Sequence, residues 1–125
     1  MKGSFNQHSV SWLKNANVVC NQITDDSIQA KSEWICGILA GIPAPVIVME
    51  ETEQGYVVMT QQSKVSTLIE FLKDEFKIAP NSSLSFLNKA FSDIVKEDLE
   101  DMQICVYTFR ALHDEERKFV QSLFI

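Results

Sequence analysis

Along the chain the apolar positions change period several times, and each change marks an element. Val65, Leu68, Ile69, Leu72 and Phe76 recur at helical spacing, with Glu70, Lys73 and Asp74 on the polar side. Trp34, Ile35, Ile38 and Leu39 do the same within residues 27–40, where Gly41 is placed to stop the helix. Between these two stretches Pro43 and Pro45 forbid helix and enforce an extended path. The run Val46, Ile47, Val48 and Met49 is apolar on both sides and reads as a buried strand. The charged segment EETEQG then reads as an exposed turn, and Tyr56, Val57, Val58 and Met59 as the returning strand of a hairpin. The stretch from Trp34 to Phe76 is thus the organising frame of the chain.

The flanks carry weaker signals. Residues 1–7 are polar and expected to be loose. Val10, Trp12 and Leu13 suggest a short helix with Ser9 as its N-cap. Val18, Val19 and Cys20 form a brief β-type run, and Asp25 and Asp26 suit the start of the following helix through its macrodipole. After Phe76 the segment Ala79-Pro80-Asn81-Ser82-Ser83 breaks the pattern. Leu84, Leu87, Phe91 and Ile94 resume a helical stripe, capped by Asn81 or Ser82, and Lys96 to Asp101 begins another short helix. Gln103 to Phe109 alternates, with Ile104, Val106 and Thr108 on one side and Cys105, Tyr107 and Phe109 on the other. Asp114, Glu115 and Glu116 open a last helix whose apolar face is Phe119, Val120 and Leu123. The order predicts one α+β domain over residues 1–125, a small mixed sheet covered by helices.

Composition narrows the function classes. Hydrophobic residues are 46% of the chain, enough for a real core. The formal net charge of −6 disfavours a protein that grips nucleic acid by its phosphates. No apolar run approaches the roughly 18 residues of a membrane span, and MKGSFNQHSV lacks a signal core, so the expected location is cytoplasmic. Cys20, Cys36 and Cys105 have no metal-ligand spacing and read as buried free thiols. His8 and His113 have no partner at ligand spacing and read as surface or capping residues. The carboxylate pairs Asp25-Asp26 and Glu50-Glu51 read as a helix start and a solvated turn rather than an acid/base pair or a Mg²⁺ site. One loop keeps a functional reading. Thr60-Gln61-Gln62-Ser63-Lys64 joins a buried strand to a helix N-terminus, where backbone N–H groups and the dipole favour an anion and Lys64 adds charge. The alternative is a polar helix entry with no ligand.

These residues resemble the N-terminal ParB/sulfiredoxin-like domain of GmrSD-type modification-dependent restriction enzymes. That family shows a helix, then "GxPIPPI", a strand, a turn and "Y-x-V-I-D-G-Q-Q-R-L-T-T-L-I-x-F-L". The chain carries Gly41-Ile42-Pro43-Ala44-Pro45-Val46-Ile47, then, without a gap, Tyr56 to Leu72 as YVVMTQQSKVSTLIEFL. Ser9 to Gln22 resembles the family's opening helix and its "YQR" strand end, and Phe91 to Phe109 a later helix-and-strand segment. The family domain binds and hydrolyses nucleoside triphosphate through its polar motif residues. Here the motif aspartate falls on Thr60, its glycine on Gln61, its glutamines on Gln62 and Ser63, and its arginine on Lys64. The "Q-R" pair falls on Asn21 and Gln22, and a cationic residue of the closing helix falls on Ser122.

The apolar frame is kept while the chemistry is replaced. Lysine in place of arginine keeps charge but loses the bidentate fork. The resemblance therefore implies a domain that has lost catalysis and acts through a protein partner, encoded by a phage or mobile element and tied to restriction, anti-restriction or virion assembly. Two other readings stay open. One is a residual nucleoside-triphosphate site, with Mg²⁺, on Gln62, Ser63 and Lys64 with Asn21, Gln22 and Ser122 opposite. The other is a DNA-binding module, which the acidic charge disfavours.

Overall fold

A computed structural model describes residues 2–20, 26–79 and 102–123. The helices expected over residues 81–101, with their Asn81 or Ser82 cap, fall outside this set, as do Asn21, Gln22 and Asp25. The described residues form an α+β fold: five strands in one mixed sheet, and four helices. In chain order these are β1 (Lys2–Ser9), α1 (Trp12–Asn15), β2 (Val18–Val19), α2 (Ile28–Leu39), β3 (Ile47–Thr52), β4 (Gly55–Val58), α3 (Gln62–Leu72), β5 (Gln103–Arg110) and α4 (Asp114–Ser122).

The sheet order is β1-β5-β3-β4-β2. β3 lies at its centre, antiparallel to β4 and parallel to β5. Its residues Ile47, Val48, Met49 and Glu50 are all buried, which is why the run shows no alternation. β5 does alternate: Ile104, Val106 and Thr108 are buried and the residues between them only half so. The parallel pairing of Ile47 with Val106 and Met49 with Thr108 puts these four on one face. That face packs on α1, α2 and α3 through Leu13, Ile35, Cys36, Leu39, Val65, Leu68, Phe71 and Leu72. The other face presents Val48, Tyr107 and Phe109 to α4, which contributes Val120, with Leu112 from the turn before it.

Local chemistry explains the helix limits. Ser27 Oγ accepts the backbone N–H of Ala30 (3.1 Å) and caps α2. Gly41, at φ +93°, turns the chain out of that helix toward Pro43. Lys31 Nζ meets Glu70 Oε2 at 2.8 Å and ties α2 to α3. α3 closes at Leu72, so Phe76 lies beyond it, its ring centroid 5.7 Å from that of Phe71. Phe71, rather than Phe76, is the fully buried ring of this helix.

Four expectations are corrected. Residues 2–9 are not a loose start but a full strand, paired residue by residue from Lys2 with Arg110 to Ser9 with Gln103. Ser11, not Ser9, precedes α1 as its N-cap. Glu50 does not sit in a solvated turn: the strand runs on through Thr52, and Glu50 is only 4% exposed. Of the last helix's apolar face, Val120 alone is buried; Phe119 and Leu123 stand exposed.

α4 starts with three carboxylates, Asp114, Glu115 and Glu116. The backbone N–H of His113 donates to Glu116 Oε1 (3.0 Å), and this bond holds the Glu116 carboxyl below the usual carboxylate range. The unfolded chain then binds more protons than the native one just below the ordinary value. The capping contribution is full at neutral pH and is lost as pH falls through the folded pKa. Glu116→Gln is expected to flatten this acid limb in urea titrations run from neutral pH downward. An unchanged limb in that variant would assign the acid sensitivity to other groups.

Candidate functional site

The loop after β4 is short because the helix starts early. Gln62, Ser63 and Lys64 are not loop residues but the first turn of α3. Only Met59, Thr60 and Gln61 connect strand to helix, and the first two are buried. Gln61 precedes the helix in the left-handed region (φ +57°, ψ +35°), with no side-chain cap bond. A non-glycine residue is held there at a cost of about 1 kcal/mol. This is the position to which the resemblance assigns a glycine.

Thr60, Ser63 and Lys64 each have a local contact. Thr60 is 5% exposed, and its Oγ1 accepts the N–H of Val48 at 3.0 Å. The hydroxyl that stands where the resemblance places an aspartate thus holds β3 to the loop. The Ser63 carbonyl oxygen accepts the Thr67 hydroxyl (2.8 Å), inside the helix. Lys64 Nζ lies 5.6 Å from the centroid of the Trp34 ring, a cation–π distance. The hollow beside it, lined by Trp34, Ala44, Pro45, Ile47, Gln61, Lys64, Val65 and Leu68, holds about 10 Å³. That is the room of about one water, against the ~300 Å³ or more of a small-molecule pocket.

The wall expected opposite is only partly describable. Asn21 and Gln22 lie outside the described residues. Cys20, just before them, packs partly against the core, and burial pushes its thiol up to about 11, which makes it a poor nucleophile. Ser122 belongs to α4, on the sheet face away from α3, so it does not face Lys64. Its Oγ donates to the carbonyl of Phe119 (2.6 Å). The structure therefore brings Gln62, Ser63 and Lys64 together and separates Ser122 from them. All three cysteines are free, Cys36 buried and the other two half-buried. His8 stacks on Trp12 at 3.9 Å, and His113 precedes α4 as its N-cap.

The carboxylates of β3 form a different arrangement that the sequence did not reveal. Arg117 of α4 donates through Nε to Glu50 Oε1 (2.6 Å) and through Nη2 to Glu50 Oε2 (2.9 Å). Its Nη1 reaches Asp114 Oδ1 (2.7 Å), and Nη2 also reaches the Leu112 carbonyl (3.0 Å). The two carboxylates raise the Arg117 pKa, Glu50 most. Next along the strand, Glu51 pairs with Arg110 at 2.8 Å in the open. These acids edge an open hollow of about 530 Å³ with Thr52, Glu53 and Ala111. Both are committed to arginines, so the arrangement is structural. Among the described residues no group of three or more His, Cys, Asp or Glu is placed to hold a metal. The signal for Arg117 in the sequence was a cation directly after three acids at a helix start, 67 residues from its partner.

On the face of the sheet that α4 only half covers lies an apolar groove of about 310 Å³. Val46, Val48, Tyr107, Phe109, Phe119, Val120 and Leu123 line it. Among the described residues no helix is long and apolar enough to cross a membrane. Compared with family models, with curated proteins and with solved structures, the chain finds no match.

Proposed function

We propose that this chain is a non-enzymatic protein-binding domain, a degenerate relative of the ParB/sulfiredoxin-like domain, working in the cytoplasm. The observation that carries this reading is the filled space beside Lys64. An ammonium over an indole, a helix that begins at Gln62 and a threonine committed to Val48 leave about 10 Å³ in the hollow that the described residues form beside Lys64. The apolar groove against α4 supports the second half of the reading, since exposed apolar surface of this kind marks interaction sites. The resemblance directs the search for a partner to restriction and anti-restriction systems and to virion components of a mobile element.

Calorimetric titration with ATP and GTP in the presence of Mg²⁺ tests the first half. The expected result is no heat and no phosphate release at about millimolar nucleotide. Saturable heat that Lys64→Ala abolishes would instead establish the residual nucleotide site, and phosphate release with it would overturn the non-enzymatic reading. The second half is tested by capture from host lysate with the wild-type chain and with Phe119→Glu. A defence or virion protein retained by the first and lost with the second supports it; no difference between the two removes the groove from the account.

A further inference from the structure

The two edges of the sheet are built differently. β2 is two residues long and exposes almost no backbone to a newcomer. β1 at the opposite edge runs for eight residues, about 27 Å at strand rise. It pairs with β5 without a break from Lys2 to Ser9, so no bulge twists it away. It contains no proline and no carboxylate, in a chain of net charge −6. Residues 3–7 are all exposed. Proteins normally blunt such an edge with shortness, proline, bulges or inward charges, because its unpaired N–H and C=O groups are a template for another strand. β1 carries none of these in its middle.

Its side chains add an apolar element. Phe5 is 55% exposed and its ring stands 6.5 Å from that of Tyr107, which is 5.0 Å from Phe109. Tyr107 lies directly over Gly3, where a Cβ would meet the ring. An aromatic row thus runs along β5 and ends at the edge strand.

We propose that β1 is a self-association edge: two copies of this chain pair β1 to β1, antiparallel about a two-fold axis, and join their sheets into one. The occupant is a second copy because the strand is complementary to itself. With the axis at Phe5, the two Phe5 rings become cross-strand neighbours, Lys2 falls opposite His8, Gly3 opposite Gln7 and Ser4 opposite Asn6. Cross-strand aromatic pairs are favourable. An interface of one strand each is small, so the dimer is weak and reversible. This inference goes beyond the proposed function and does not depend on it.

Sedimentation velocity of the full chain over about 5–500 µM tests it. The weight-average mass is expected to rise from the 14.2 kDa of one chain toward twice that value, with amide exchange of residues 3–8 slowing as concentration increases. Phe5→Glu, which sets two carboxylates across the axis, is expected to weaken association at least about 10-fold while circular dichroism stays unchanged. Asn6→Lys supplies a second edge charge should the first variant not fold. Phe119→Glu, in the groove, is expected to leave association as it is. A chain that stays monomeric at the highest concentration overturns the proposal. So does association that survives both edge variants, or that Phe119→Glu abolishes.

Discussion

Arg117→Leu is expected to lower the thermal midpoint by about 10 °C, and adding Glu50→Leu to restore most of that loss. The argument rests on burial. Glu50 lies on the central strand with its side chain 5% exposed, and Arg117 supplies two parallel N–H bonds to it. Removing the guanidinium leaves a carboxylate out of water with its partner gone, and leaves the Leu112 carbonyl without the N–H it accepts from Arg117. An unpaired buried charge is among the costlier single defects, whereas a pair replaced on both sides by apolar groups is often nearly neutral. The neighbouring pair provides the contrast. Arg110 and Glu51 meet at 2.8 Å, but their side chains are 74% and 37% exposed. Arg110→Ala is therefore expected to move the midpoint by less than about 2 °C. Melting curves of the four proteins decide the matter. A double variant as unstable as Arg117→Leu would transfer the effect to Asp114 and the Leu112 carbonyl.

The second large effect belongs to a small residue that opens β4, just after the β3–β4 turn. Gly55→Ala is expected to cost about 3 kcal/mol, against about 1 kcal/mol for Gly41→Ala. Both glycines have positive φ, +126° at Gly55 and +93° at Gly41, so both substitutions strain the backbone. They differ in what a methyl would meet. At Gly41 nothing lies within 4 Å. At Gly55 a Cβ would run into the carbonyl oxygen of Asn17. That oxygen accepts the N–H of Tyr56 at 2.8 Å, and the Asn17 side-chain amide donates to the carbonyl of Gln54. Asn17 thus clamps the turn from outside and sets the parallel register of Val18 with Tyr56. A methyl at Gly55 pushes out the clamp, and β2, only two residues long, has little else to hold it to the sheet. Urea unfolding of both variants measures the difference; equal losses would show that the clamp yields freely.

Much of the frame was legible because its signals are local. Gly41 and the prolines end α2, and β5 alternates along its own length. β1 was not legible. KGSFNQHS has one large apolar residue and no alternation, and its strand state comes from β5, almost the whole chain away. Glu50 was hidden for the same reason: two adjacent glutamates look like a turn until the arginine of a distant helix is placed on one of them. Periodicity found Phe119, Val120 and Leu123 as one face but carries no information on how much of that face is covered. At the candidate site the sequence located Lys64 at a helix entrance. It did not place the Trp34 ring 5.6 Å away, nor the Thr60 hydroxyl on the N–H of Val48. Those two contacts are what change an open loop into a packed one.

The pairing of Lys2 with Arg110 has a consequence for the order in which the molecule is made. β1 is translated before β5, yet β5, about 100 residues later in the chain, is its neighbour in the sheet. At a synthesis rate of roughly 5–20 residues per second, the first strand waits about 5–20 s for its partner. The β3–β4 hairpin has no such wait and can form with α3 while β5 is still being translated. Folding is then governed by one late, long-range closure, which places this chain among the slow folders for its size.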